Sequence, residues 1–186
     1  MMHRYLITDA KFYTTELEVF AQRLENALLH HKPDYALFRD KHNKNYVELA
    51  EQFLDVCSTF DSVKPMLHGD VDLAFKLGAY GVHLTSLQFD AIEEAKSVGL
   101  FIVVSCHSEK EILKVQRLGA DAVTFSPIFN TPNKGEPKGL GELQRMVDKM
   151  SIPIIALGGI TTEKEVKAVE STGCYAFASI RYFIED

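Results

Sequence analysis

The sequence predicts an α/β fold, a single-domain (β/α)8 TIM barrel over residues 1–186 with a short or truncated last helix. Short strand-like segments alternate with helical segments along the whole chain, and eight such units suit a closed parallel barrel. Several strand segments are almost continuously apolar, such as FIVVS at 101–105, which is typical of parallel strands covered on both faces. An open doubly wound sheet is the alternative architecture.

The eight predicted strands are short runs rich in β-branched and aromatic residues. They span Tyr5–Thr8, Tyr35–Phe38, Lys64–Leu67, Gly81–Leu84, Phe101–Ser105, Ala122–Ser126, Ile154–Leu157 and Tyr175–Ala178. The helices between them show apolar residues at helical spacing and begin at polar capping residues. The predicted N-caps are Thr14 or Thr15, Asn45, Ser108, and Thr161 or Thr162. The segment after Ser179 suffices for one or two helical turns.

Composition and charge narrow the class of protein. The net charge is −6 and 46% of the residues are hydrophobic, which argues against a general nucleic-acid or membrane-surface role. No apolar run approaches the ~20 residues of a membrane helix. The three cysteines form no CxxC pair, which favours a reducing cytosol and no structural zinc. We therefore expect a cytoplasmic protein with neither nucleic acid nor membrane as a partner.

Polar residues cluster at the predicted carboxyl ends of the strands, where barrel enzymes carry their catalytic groups. This pattern predicts an active site there. The residues are Thr8, Asp9, Arg39, Asp40, Lys41, His68, Gly69, Asp70, His83, Ser105, His107, Ser126, Gly158, Gly159 and Ser179.

Two strand ends suggest a phosphate site. The segment ALGGIT places Gly158 and Gly159 just before a helix, where free N–H groups and the helix dipole favour an anion. The segment ASIR adds the N–H groups of Ser179 and Ile180. The alternative at Gly158–Gly159 is a tight turn with no ligand.

Other strand-end residues are candidates for substrate contacts and proton transfer. Arg39 and Lys41 alternate along FRDK and can both face an anionic group, or they belong to a surface charge cluster. His107 can exchange a proton near neutral pH. His83 is better explained as a hydrogen-bonded histidine at a strand end, and Cys106 as a small buried apolar residue.

The segment FNTPNKGEPKG at 129–139 follows the sixth strand and carries Lys134 and Lys138. It is either a lid over an anionic substrate or an exposed loop.

Six segments in order resemble the thiamine phosphate synthase and TenI superfamily. They are YLITD, FRDK, VDLAFKLGAYGVHL, VSCHS, GADAVTFSPIFNTPNK and ALGGIT, and the similarity runs from about Tyr5 to Ser179. The resemblance implies a (β/α)8 barrel, usually dimeric, that acts in thiamine biosynthesis. It also implies one of two activities. The synthase joins a thiazole phosphate to a pyrimidine diphosphate with Mg²⁺, and the TenI-type tautomerase aromatises a carboxythiazole phosphate without metal.

Residue by residue, the resemblance supports parts of both activities. Arg39 and Lys41 fall where the synthase binds pyrophosphate, and Ser105 also matches. Thr131 and Lys134 match its PTxTK loop, in which Asn133 replaces the second threonine. The histidine that the tautomerase uses as acid and base corresponds to His107, although a synthase can carry a histidine there too.

The metal-binding aspartates of the synthase pattern are missing. Its Asn-Asp and Gly-Gln-x-Asp segments correspond here to His68-Gly69 and to Thr85-Ser86-Leu87-Gln88. Mg²⁺ favours carboxylate oxygens beside substrate phosphates, so the absence of these aspartates disfavours the synthase reaction. Asp70 and Asp90 lie nearby but out of register.

These comparisons predict a metal-independent thiazole tautomerase with no cofactor, Mg²⁺ being required only for the synthase alternative. His107 is the predicted acid and base, with Arg39, Lys41, Ser105, Thr131 and Lys134 as substrate contacts. The predicted phosphate site is Gly158, Gly159, Ser179 and Ile180. A non-catalytic protein that binds thiazole or thiamine phosphate is a further alternative, and a phosphosugar isomerase is disfavoured. We expect a small phosphorylated thiazole as the substrate and a homodimer as the assembly.

Overall fold

The computed structural model describes residues 1–40 and 44–184. Its eight strands are all parallel and form a closed barrel in sequence order, with β8 paired to β1. The predicted (β/α)8 barrel is therefore confirmed, and the open doubly wound alternative is wrong. The strands are β1 His3–Ile7, β2 Tyr35–Phe38, β3 Lys64–His68, β4 Gly81–Leu84, β5 Phe101–Cys106, β6 Ala122–Phe125, β7 Ile154–Leu157 and β8 Ala176–Ser179.

Helices surround the barrel, and two of them, α1 and α2, lie between β1 and β2. The helices are α1 Ala10–Tyr13, α2 Leu17–His31, α3 Tyr46–Ser58, α4 Val71–Lys76, α5 Ala91–Ser97, α6 Glu109–Leu118, α7 Gly139–Lys149 and α8 Glu163–Glu170. Within the described residues, β8 is followed by only a short 3-10 helix, Arg181–Phe183. The predicted short last helix is confirmed. None of the helices in the described ranges is long and apolar enough to cross a membrane.

The predicted N-cap positions are confirmed at three helices and wrong at a fourth, and Asn45 is the N-cap of α3. Ser108 accepts a hydrogen bond from the Glu111 N–H at the start of α6, and Thr162 forms a capping box at the start of α8. At α2 the N-cap is Glu16 rather than Thr14 or Thr15. The cause is α1, a single turn with Asp9 as its N-cap and Thr14 as its C-cap.

Alternate residues of each strand pack into two separate apolar regions. Tyr35 and Leu37 of β2 belong to the barrel interior. Ala36 and Phe38 of the same strand pack in the larger layer between the strands and the helices. The same alternation, continued one residue past the strand, brings Arg39 to the inner face. This period of two is what directs the polar strand-end residues towards one shared cavity.

Candidate active site

A cavity of about 430 Å³ opens at the carboxyl ends of the strands. All eight strands, or the loops that follow them, contribute to its wall. Among the residues that line it are the predicted Arg39, Ser105, His107, Thr131, Lys134, Gly158 and Ile180. The predicted residue Lys41 lies outside the described residues. Of the other predicted strand-end residues, His68, His83 and Ser126 also line this cavity, whereas Thr8, Asp9, Asp40, Gly69 and Asp70 do not.

A second, smaller cavity of about 270 Å³ adjoins the first, because Thr131, Leu157, Gly158 and Ile180 line both. It contains the predicted phosphate residues Gly159 and Ser179, and also Lys11, Thr161 and Arg181, for which the sequence shows no signal of a ligand contact. We call this cavity the phosphate cup. Its position beside the main cavity suits a substrate that carries a phosphate at one end.

Gly158 and Gly159 have a packing role that is independent of any ligand. Both have positive φ angles, +104° and +69°. A Cβ atom on Gly158 would lie 2.8 Å from the Pro127 Cα, and one on Gly159 would lie 2.7 Å from the Asn130 carbonyl oxygen. The two glycines therefore let the loop after β6 lie directly against the end of β7.

The start of α8 is not a free anion site. The Glu165 carboxylate accepts hydrogen bonds from the N–H groups of Thr161 (2.8 Å) and Thr162 (2.7 Å). These bonds, that of the Thr161 N–H above all, lower the pKa of Glu165. The expectation that the α8 dipole favours the phosphate needs correction, because a carboxylate of the helix itself already occupies this terminus.

The hydroxyl of Ser179 is hydrogen-bonded within the fold. It donates to the Ile160 carbonyl over 2.6 Å and accepts from the Tyr182 N–H over 3.2 Å. By contrast, the N–H groups of Gly159 and Ile180 make no hydrogen bond to another of the described residues. These N–H groups are therefore available to a ligand in the cup.

His107 follows β5 and lines the main cavity. Its Nδ1 lies 3.2 Å from the carbonyl oxygen of Ser126, and its backbone N–H donates to the Glu111 carboxylate over 2.5 Å. A carbonyl oxygen can only accept, so this contact is a hydrogen bond when Nδ1 carries the proton, and Nε2 then has the free lone pair. The Ser126 hydroxyl, 3.4 Å from Nδ1, is a second partner that can donate or accept. With Nδ1 protonated, His107 is a proton acceptor in the cavity wall.

Two cationic side chains line the same cavity as His107. The Arg39 guanidinium is about a quarter exposed and lies 3.9 Å from the Asp9 carboxylate, while its backbone N–H donates to Thr8 Oγ1. Lys134 comes from the loop after β6, as predicted. Lys138 of the same loop instead places its Nζ 5.2 Å from the centre of the Phe125 ring. The closing motion of this loop stays a prediction.

His83 and Cys106 match their structural explanations. His83 is buried and lies within hydrogen-bond distance of Tyr5 and Ser105. Burial, and to a smaller extent Glu111, raises the pKa of the Cys106 thiol to about 12, which keeps it protonated. Tyr5 is a site residue that the sequence does not reveal, since nothing in YLITD indicates that its phenol reaches β4.

Comparison with known proteins identifies the family. A profile described as thiamine monophosphate synthase matches residues 4–183, nearly the whole chain.

The chain belongs to the thiamine monophosphate synthase family.

Three relatives of this family member illustrate the similarity. A protein of Aquifex aeolicus, provisionally named thiamine-phosphate synthase 2, is 31% identical over 185 residues, or 97% of each chain. The thiamine-phosphate synthase of Clostridium novyi is 30% identical and aligns with 91% of this chain and 84% of its own. The solved thiamine phosphate pyrophosphorylase of Pyrococcus furiosus is 27% identical, with a TM-score of 0.81 over 96% of this chain and 85% of its own. The resemblance inferred from the six segments is confirmed, and it assigns the chain to thiamine biosynthesis.

The Mg²⁺ ion that the synthases of this family use does not fit the residues present here. Gly69 offers no side chain, and the Gln88 carboxamide is bonded to the Thr85 N–H (3.0 Å) and the Gly69 carbonyl (2.8 Å). Asp70 caps α4 through the Leu73 N–H, and neither Asp70 nor Asp90 lines the main cavity. No group of three histidine, cysteine or acidic residues in the described part of the chain is arranged to hold a metal.

Proposed function

We propose that this protein is a metal-independent thiazole tautomerase of thiamine biosynthesis, which moves a proton on a carboxythiazole phosphate so that the ring becomes aromatic. The observation that carries the proposal is the position of His107 in a cavity that continues into the phosphate cup. The reaction needs an anion site, a proton acceptor and a second polar contact, and it breaks no bond to phosphorus.

The proposed roles follow from the chemistry of each side chain. The N–H groups of Gly159 and Ile180 bind the phosphate. Arg39 or Lys134, or Lys41 in the undescribed segment, binds the substrate carboxylate. His107 removes a proton from one carbon of the substrate through Nε2 and returns it to another, which leaves the electron pair within the ring system. General acid–base catalysis of this kind contributes about 10²–10⁴-fold.

The second candidate is thiamine phosphate synthase, and the names of the relatives favour it over the tautomerase. Arg39, Thr131 and Lys134, which line the cavity, match synthase positions by resemblance. The missing carboxylates at positions 69 and 88 oppose it, because Mg²⁺ usually needs such ligands beside substrate phosphates. We derive no step through the metal.

One pair of assays separates the candidates. The chelator-treated protein is given the carboxythiazole phosphate tautomer, and in parallel it is given both synthase substrates with Mg²⁺. We expect aromatisation in the first assay and little thiamine phosphate in the second. The reverse result assigns the synthase activity, and binding without turnover in either assay assigns a non-catalytic role.

The role of His107 is tested by His107→Ala, which should lower kcat by about 10²-fold or more and change KM little. The matched control is His30→Ala, since His30 is an exposed histidine near the end of α2 and does not line the cavity. An unchanged kcat in His107→Ala would exclude this histidine from the reaction. The predicted homodimer is tested separately, by measuring the molar mass of the protein with light scattering after size-exclusion chromatography.

A further inference from the structure

A buried chain of hydrogen bonds crosses the barrel interior below the cavity. The Tyr5 hydroxyl lies 3.0 Å from His83 Nδ1, and His83 Nε2 lies 3.1 Å from Ser105 Oγ. Tyr5 is fully buried, and His83, which is 3% exposed, and the half-buried Ser105 both line the cavity. The chain therefore links the interior of the barrel to the surface that a substrate would touch.

The hydrogen bond of the Tyr5 hydroxyl determines which nitrogen of the His83 ring carries the proton. This hydroxyl has no other hydrogen-bond partner among the described residues, so its proton must go to Nδ1 or stay unpaired in the interior. An unpaired buried donor is costly, so Nδ1 accepts from Tyr5. The proton of the neutral ring is then on Nε2, and Nε2 donates to Ser105 Oγ.

The direction of the Ser105 hydroxyl follows in turn. Ser105 Oγ accepts from His83 Nε2 and also from the Thr124 hydroxyl, which lies 3.5 Å away and is fully buried. The contact with Thr124 is long for an O–H···O hydrogen bond, so the bond from His83 is the one that fixes Ser105 Oγ as an acceptor on this side. The proton of the Ser105 hydroxyl has no acceptor in the barrel interior, so the hydroxyl points its proton into the cavity.

The surroundings keep the His83 ring neutral. Burial, followed by the nearby His68 and Arg39, lowers the pKa of His83 to about 3. Burial also raises the pKa of Tyr5, so the phenol keeps its proton. The direction of donation along these hydrogen bonds, from Tyr5 through His83 to Ser105, is therefore the same across the physiological pH range.

We propose that Tyr5 and His83 are positioning residues that make Ser105 an obligatory hydrogen-bond donor to the substrate. Ser105 is on β5, His107 directly follows the strand, and both line the cavity. A donor at Ser105 stabilises the negative charge that develops on the substrate when His107 removes a proton. Only the identity of this substrate rests on the proposed function. The direction of the hydrogen bonds does not.

The first test observes the tautomer without any substrate. Nitrogen-15 NMR of the ring should show Nε2 protonated and Nδ1 unprotonated for His83 in the wild type. In Tyr5→Phe the donor to Nδ1 is lost, so a mixture of tautomers is expected. In Tyr35→Phe, which removes a different interior phenol bonded to Tyr175, the ring should be as in the wild type. A wild-type ring protonated on Nδ1 overturns the proposal, even if the protein has another substrate.

The second test uses the kinetics of the carboxythiazole phosphate reaction. Tyr5→Phe and Ser105→Ala should each lower kcat about ten-fold with little change in KM, and the double variant should be no slower than Ser105→Ala alone. Tyr35→Phe should retain wild-type kcat. Additive losses in the double variant, or full activity in Tyr5→Phe, would contradict the positioning role. Absence of turnover in the wild type overturns the proposed function. The NMR result then decides whether Tyr5 and His83 orient the Ser105 hydroxyl.

Discussion

The side chain of Gln88 joins the loop after β4 to the loop after β3, because its Nε2 donates to the Gly69 carbonyl over 2.8 Å. Its Oε1 accepts from the Thr85 N–H in its own loop over 3.0 Å. The amide thus connects the two positions at which the synthase pattern has metal-binding carboxylates. In this chain a neutral side chain, with both of its polar atoms bonded, holds this part of the cavity wall.

Removal of this bridge should affect both stability and activity. Gln88→Ala leaves a half-buried donor and acceptor without partners, and we expect a loss of about 1–2 kcal/mol in the free energy of unfolding. Because Thr85 lines the cavity, kcat/KM should fall as well. The matched control is Gln116→Ala, since the Gln116 side chain accepts from the N–H groups of Ser151 and Ile152 outside the two cavities. Urea denaturation of the control should show a similar loss with normal activity, and lowered activity in both variants would contradict a local role.

The phosphate cup should depend on side-chain cations, because Glu165 already occupies the start of α8. Neither Lys11 nor Arg181 forms a salt bridge within residues 1–40 and 44–184. Lys11→Ala and Arg181→Ala should each weaken binding of inorganic phosphate by about 1 kcal/mol, or about five-fold. Lys149→Ala, which removes a cation paired with Glu109, is the control. An NMR titration with phosphate measures the affinities, and equal affinities in all four proteins would mean that the cup uses backbone groups alone.

The packing at Gly159 should make substitution costly even without a ligand. A methyl group there meets the Asn130 carbonyl at 2.7 Å in a backbone with φ of +69°. We expect Gly159→Ala to lower the free energy of unfolding by about 2–4 kcal/mol. At Gly173, φ is +71° but a Cβ would have no neighbour within 4 Å, so Gly173→Ala should cost only about 1 kcal/mol. Thermal or urea unfolding measures both, and equal losses would show that contact with the β6 loop is unimportant.

The buried His83 should make the protein less stable in acid. Its pKa is lowered from 6.5 to about 3 in the folded state, so only the unfolded chain gains this proton as the pH falls between those values. Stability from this group is complete above pH 6.5 and is lost towards pH 3, by up to about 1.4 kcal/mol per pH unit. The stability advantage of the wild type over His83→Gln should therefore shrink by about 2–3 kcal/mol from about pH 7 to about pH 4. An advantage that stays constant or grows would show that His83 is protonated in the fold.

The strand bounds and helix caps that the sequence predicted correctly depend only on residues close together in the chain. Three strands, among them Gly81–Leu84, have the predicted bounds, and the other five differ by one or two residues at one or both ends. Capping by Ser108 and Thr162 followed from the spacing of polar residues. The error at Thr14 has the same origin, because the single turn of α1 is too short to show a helical period.

The alternation of residues along each strand also predicted which polar side chains face the cavity. Arg39, Ser105 and His107 line it as expected. What the alternation did not predict is how side chains on different strands combine. Gln88 reaches Gly69, 19 residues away in the chain, and Glu165 occupies a helix end that was expected to favour a ligand.

The sequence by itself determined the barrel, the order of its strands and the face to which each strand-end residue belongs, because period, capping and apolar runs are properties of neighbouring residues. The tertiary structure alone decided that Tyr5 meets His83, 78 residues further along, and that His83 in turn meets Ser105. The physical reason is that a period of two specifies only inside or outside. The register and tilt of a closed barrel decide which inside residues come within hydrogen-bond distance.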